Sequence, residues 1–172
     1  KGEKYMSKIV LIGANHAGTA FANTLLDTYP DSELTIFDRN DNISYLGCGT
    51  ALLVGNQIQG TDGLFYCSQK IFEHKGATVH LETEVSNINY ESKIVYAKDK
   101  NGNVIEQPYD KLILATGSLP VNPGISGMEL DNVRFVKLFQ DGKAIHAMLE
   151  QDDVKNVAVV GAGYIGVEIA DR

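Results

Sequence analysis

Short apolar runs that end in glycine alternate along this chain with segments whose apolar residues recur every three or four positions. Lys8 to Gly13, KIVLIG, is such a run, and it suits a strand buried on both faces of a parallel sheet. From His16 to Tyr29 the residues Ala17, Ala20, Phe21, Leu25 and Leu26 fall on helical spacing and Pro30 closes the segment, which predicts an amphipathic helix. Glu33 to Asp38, ELTIFD, reads as the strand that this crossover returns to. Helices are expected over 48–54 and 68–75, and a strand over 78–81. The pattern then changes: VSNINY, KIVYAKD and NVIEQPY alternate or carry β-branched residues, and Asn101-Gly102 between the last two signals a two-residue hairpin turn. This predicts a small antiparallel meander. KLILA, Lys111 to Ala115, returns to the all-apolar type and belongs in the parallel sheet.

Beyond it, Pro120, Pro123, Gly124 and Gly127 mark a connection between domains. A helix is expected over 141–150. Asn156 to Val160 then repeats the N-terminal apolar strand and runs into a second glycine-rich turn and a helix. The expected fold is α/β: a Rossmann-like domain with a parallel sheet and a meander over 6–120, a connection over 121–150, and the beginning of a second Rossmann unit over 151–172.

Composition narrows the class of protein. Lys and Arg number 15 against 22 Asp and Glu in 172 residues, a net charge of −7, the wrong sign for a nucleic-acid or anionic-membrane partner. No apolar run approaches the roughly 18 residues of a membrane helix, and Lys1 to Ser7 carry no apolar core of a leader, so the chain reads as soluble and cytoplasmic. Cys48 and Cys67 are too few for a disulfide scaffold, and no cluster is spaced for metal. The placing of the 17 glycines carries more information.

Gly161-Ala162-Gly163-Tyr164-Ile165-Gly166 has the GxGxxG form between a predicted strand and a predicted helix, the context in which it binds a dinucleotide. Gly161 would make the tight turn, Gly163 would admit the pyrophosphate and Gly166 would let helix and strand approach. The first copy, Gly13-Ala14-Asn15-His16-Ala17-Gly18, has Asn15 at the second glycine position, a residue that tolerates unusual backbone angles. Asp38, 20 residues after Gly18, is placed to accept from a ribose hydroxyl. Two such turns imply two dinucleotides with electrons passing between them through a flavin. Cys48, between Gly47 and Gly49, lies at a predicted helix N-terminus, where free amides favour a reactive sulfur. A partner cysteine five residues on is replaced by Leu53, and Cys67 is 19 residues away, so a sulfenic-acid cycle is favoured over a dithiol one. Cys67 reads as a small buried hydrophobe. His16, in the first helical turn, could bond an oxidised sulfur or a peroxide. His74, His80 and His146 read as surface residues.

GANHAGT, NISYLGCGTAL, YDKLILATGS and VAVVGAGYIGVE together resemble the flavoprotein disulfide-reductase superfamily, in its single-cysteine branch of water-forming NADH oxidases, NADH peroxidases and coenzyme A-disulfide reductases. The resemblance runs from Met6 to Ala170 and implies FAD at the first turn and NADH at the second. It places Gly13, Gly18, Asp38, Thr116 and Gly117 on FAD-contacting positions, Tyr164 over the nicotinamide side of the flavin, and Glu168 near the nicotinamide. It also implies that NADH and oxygen, or a peroxide, are substrates, and that the full-length protein is a homodimer. The expected reaction takes hydride from NADH through FAD to oxygen, giving water by way of Cys48. A peroxidase, a disulfide reductase, or a flavin-binding module without turnover of its own are the alternatives.

Overall fold

The computed structural model describes residues 6–172, which form two compact units: residues up to Ser44 with Cys67–Gly117, and Tyr45–Tyr66 with Ser118–Arg172. The first unit holds a four-stranded parallel sheet of order β3-β2-β1-β7, built from β1 (Lys8–Ile12), β2 (Glu33–Phe37), β3 (Thr78–His80) and β7 (Lys111–Leu114). Alternate residues of β1 divide two apolar layers. Ile9 and Leu11 pack with Ala22 and Leu26 of α1 (His16–Thr28) and Phe72 of α3 (Gln69–His74), while Val10 and Ile12 pack with Phe37, Val95, Ala97 and Tyr109. A strand covered on both faces needs apolar residues at every position, which is why KIVLI does not alternate.

The second layer is the meander, a separate antiparallel sheet of order β4-β5-β6 made of β4 (Thr83–Asn89), β5 (Ile94–Asp99) and β6 (Val104–Pro108). Only Gly102 in the 100–103 loop takes a positive φ, so the primed two-residue turn that Asn-Gly predicts is replaced by a wider loop. The Asp99 carboxylate closes that loop by accepting from the backbone amides of Asn101 and Asn103 and from the Asn103 side chain. A carboxylate that satisfies three donors locally competes with the tighter turn.

The second unit contains α2 (Thr50–Val54), α4 (Phe139–Leu149) and α5 (Tyr164–Ala170), with an apolar cluster of Tyr45, Leu53, Leu64 and Phe139. The Asp141 carboxylate caps α4 by accepting from the amides of Lys137 and Leu138, so the helix starts two residues before the predicted Asp141. Residues 156–160 differ from expectation: they join no sheet, and Val157 and Val160 are exposed. A strand exists through its ladder partners, and none of the described residues pairs with this run.

Candidate functional site

The chain turns from β1 into α1 over Gly13 to Asn15. Gly13 has φ +94°, closed to most side chains, and a Cβ there would meet the Ala115 carbonyl. A Cβ at Gly18 would collide with the Gly13 carbonyl oxygen, so only glycine lets α1 approach the turn this closely. The side chains around the turn hold it in place. Thr19, fully buried, donates its hydroxyl to the Ala14 carbonyl at 2.8 Å, and the Ser44 amide donates to the same oxygen at 3.1 Å. Asp38 follows β2, and its Oδ2 accepts from the Ala14 amide at 2.8 Å while Oδ1 accepts from the amide and side chain of Asn40, each at 2.9 Å. Asp38 is 7% exposed, so these donors replace the water its carboxyl oxygens lose on burial. Its own amide donates to the His80 carbonyl of β3.

Asn15, His16 and Ala17 are exposed over this turn, as are Thr116 and Gly117 after β7, Gly117 with φ +64° and open space where a Cβ would stand. The exposed start of a 13-residue helix, with glycine at Gly13 and Gly18 and open space at Gly117, is a cradle that fits the pyrophosphate of FAD.

In the second unit Gly161 has φ +107°, and a Cβ at Gly166 would collide with the Gly161 carbonyl oxygen. This is the Gly13–Gly18 relation repeated. Gly163 leaves open space, and Tyr164 and Glu168 are exposed on α5. The glycine turn and helix thus adopt the geometry of a dinucleotide fingerprint although residues 156–160 join no sheet.

Cys48 is also in the second unit and is exposed. The helix predicted over 48–54 starts at Thr50, and Cys48 sits in a single 3₁₀ turn, Gly47–Gly49, that leads into it. Cys67 is buried in the layer under α1 and α3, with its amide donating to Ser44 Oγ at 2.8 Å and its carbonyl accepting from that hydroxyl at 2.7 Å. Burial pushes the Cys67 thiol above the usual cysteine range. Two histidines depart from the surface reading. His80 stacks on Phe37 with ring centroids 4.9 Å apart, and burial lowers its pKa, while His146 on α4 has a buried Nδ1. Thr19, Asn40 and Ser44 were not among the residues singled out from sequence. Ser44 at φ +58° and the short NDNIS segment are turn chemistry, which was the signal available.

A parallel sheet in the order 3-2-1 with its next strand beyond β1, a glycine turn at the end of β1 and an acidic residue at the end of β2 define a dinucleotide-binding domain of the Rossmann class. The family model for pyridine nucleotide-disulphide oxidoreductase matches residues 7–172, and the chain belongs to that family. An NADH oxidase of Lactococcus lactis is 55% identical over 95% of this chain and 37% of its own length. One from Streptococcus pyogenes is 51% identical over 96% of this chain and 39% of its own. The water-forming NADH oxidase from Lactobacillus brevis bound to NADH superposes with a TM-score of 0.89 at 36% identity, covering 95% of this chain and 36% of that one. The chain thus spans somewhat over a third of the length of the relatives it matches. Among the described residues no helix is long and apolar enough to cross a membrane.

Proposed function

We propose that the chain is the FAD-binding part, with the start of the NADH-binding part, of a flavoprotein that oxidises NADH and reduces oxygen to water. The observation that carries this reading is the repetition of one turn geometry, Gly18 against Gly13 and Gly166 against Gly161, which supplies two dinucleotide cradles in one chain. Likeness to NADH oxidases over almost the whole chain supports the choice of NADH and of oxygen.

When bound, FAD supplies the means to accept hydride from NADH and deliver two electrons to oxygen. The backbone amides at the start of α1 would hold its pyrophosphate, since those of Gly13 and Ala14 are taken by the Phe37 carbonyl and Asp38; Asp38 orients the turn and would accept from the ribose, and Thr116 and Gly117 would line the approach. Gly161, Gly163 and Gly166 would receive the NADH pyrophosphate, with Tyr164 covering the nicotinamide side of the flavin and Glu168 near the nicotinamide. Cys48 completes the reaction: its sulfur attacks one oxygen of hydrogen peroxide, the O–O bond breaks, and water leaves with sulfenic acid on the cysteine. A second NADH and a proton return the sulfenic acid to the thiol and release a second water. His16, exposed at the start of α1, would donate a hydrogen bond to a peroxide. The sum is two NADH, two protons and one oxygen to two NAD⁺ and two waters. A cytoplasmic setting and a homodimer complete the proposal for the full-length protein.

Anaerobic addition of NADH to the purified full-length protein tests the class. The flavin absorbance bands should bleach and return on admitting air. A flavin that stays yellow with NADH makes the protein a binding module instead.

A further inference from the structure

Cys48 sits in the least self-restrained kind of turn, between two glycines, one of which has open space where a Cβ would stand. The Gly49 amide closes the turn on the Leu46 carbonyl at 2.8 Å, and further restraint comes from outside it. The Leu46 amide donates to the Leu64 carbonyl at 2.8 Å, and a Cβ at Gly49 would collide with Leu64. Beneath the turn lies a chain of hydroxyls. Thr50 Oγ1 is 2.7 Å from the Gly47 carbonyl, which the Thr50 amide also meets, and the Tyr45 hydroxyl is 2.5 Å from Thr50 Oγ1. Thr50 has one hydroxyl hydrogen and gives it to Gly47, so Tyr45 must be the donor to Thr50.

Both residues are buried, and the Tyr45 ring stands 5.7 Å from that of Phe65 and 5.5 Å from that of Phe139. An aromatic slot of this kind accepts phenylalanine at no polar cost. A tyrosine hydroxyl there is explained by the partner it finds. Burial, first of all, holds the Tyr45 phenol above its usual pKa range, so it remains a donor at neutral pH. Gly142 of α4 makes room for the pair, since a Cβ there would stand 3.1 Å from Thr50 Cγ2 and 3.6 Å from the Tyr45 oxygen.

We propose that Tyr45 and Thr50 are positioning residues for Cys48: the donor chain from Tyr45 through Thr50 to the Gly47 carbonyl fixes the peptide plane that leads into the cysteine and so sets how fast its sulfur is oxidised. Consecutive donors polarise one another, which makes the chain act as a unit. The inference rests on the reading of Cys48 as the redox centre.

The test is the rate at which Cys48 in the full-length protein is converted to sulfenic acid by hydrogen peroxide, read by dimedone trapping and mass spectrometry, with buried Cys67 as internal reference and the thermal midpoint as a measure of folding. Tyr45→Phe and Thr50→Val should each slow Cys48 oxidation by about fivefold, the factor one net hydrogen bond represents. The double variant should be no slower than either single one, and Thr50→Ser should restore the rate. Tyr45→Phe removes a single oxygen atom and carries the test if Thr50→Val does not fold. Wild-type Cys48 that oxidises well ahead of Cys67, with variants that fold and keep the wild-type rate, overturns the positioning role and leaves the redox cysteine standing. Wild-type Cys48 no faster than Cys67 overturns both.

Discussion

Gly18→Ala sets two backbone effects against each other at the centre of the FAD cradle. In an exposed helix interior this change would stabilise by about 1 kcal/mol through helix propensity. Here the new methyl is driven into the Gly13 carbonyl oxygen, with the carbonyl carbon 2.9 Å away, and neither atom belongs to a flexible side chain that could move aside. Overpacking of this kind costs about 3 kcal/mol at the upper end of its range. The net expectation is destabilisation by roughly 2 kcal/mol once the propensity gain is subtracted. Relief requires α1 to move away from β1, and that movement lengthens the amide contacts a pyrophosphate would make. Losing one hydrogen bond to a charged group weakens FAD by about tenfold or more. Urea unfolding of the apoprotein measures the first number and flavin-fluorescence titration the second. Gly63→Ala is the control, because nothing lies within 4 Å of a Cβ there. If Gly18→Ala were as stable as wild type and bound FAD with unchanged affinity, the close approach of α1 to the turn would not be what shapes the site.

Asp38→Asn puts an amide group in place of one of two oxygens that both face donors, Ala14 on one side and Asn40 on the other. It should cost about 2 kcal/mol in urea unfolding, the loss of a hydrogen bond to a charged acceptor, and weaken FAD in the same titration. His80 gives a pH dependence. Burial lowers its folded pKa below the ordinary value near 6.5, so the unfolded chain binds the proton more readily and the contribution is fully present above that pH. Stability should fall as the pH drops through 6.5 and toward the folded value. Thermal midpoints of wild type and His80→Gln from pH 7.5 to 5 check this: the wild type should lose more, and parallel curves would place the pH sensitivity elsewhere.

The glycine turns were legible in the sequence because their geometry is local. KIVLIG with Gly18, and GAGYIG with Gly166, each fix a positive φ and a close helix approach within six residues. The meander was legible in its alternation, though not its loop, where the Asp99 carboxylate outcompeted the Asn-Gly turn. Residues 156–160 have the composition of a strand but lack a partner, and composition cannot supply one. The supports of the first turn were hidden for a different reason. Asp38 reaches Ala14 across 24 residues and Ser44 reaches Cys67 across 23, and contacts from side chain to backbone at that range leave no periodicity to read. The stack of His80 on Phe37, and the hydroxyl chain under Cys48, depend likewise on how distant segments pack.

In the proposed reaction Cys48 decides whether water or hydrogen peroxide is released, and counting NADH oxidised per oxygen consumed in the full-length protein measures this directly. The wild type should oxidise two NADH per oxygen with no peroxide released. Cys48→Ser should keep its flavin, fall to one NADH per oxygen and accumulate hydrogen peroxide in equal amount. If Cys48→Ser still consumes two NADH per oxygen and forms only water, the sulfur takes no part in the reduction and the proposed chemistry is wrong.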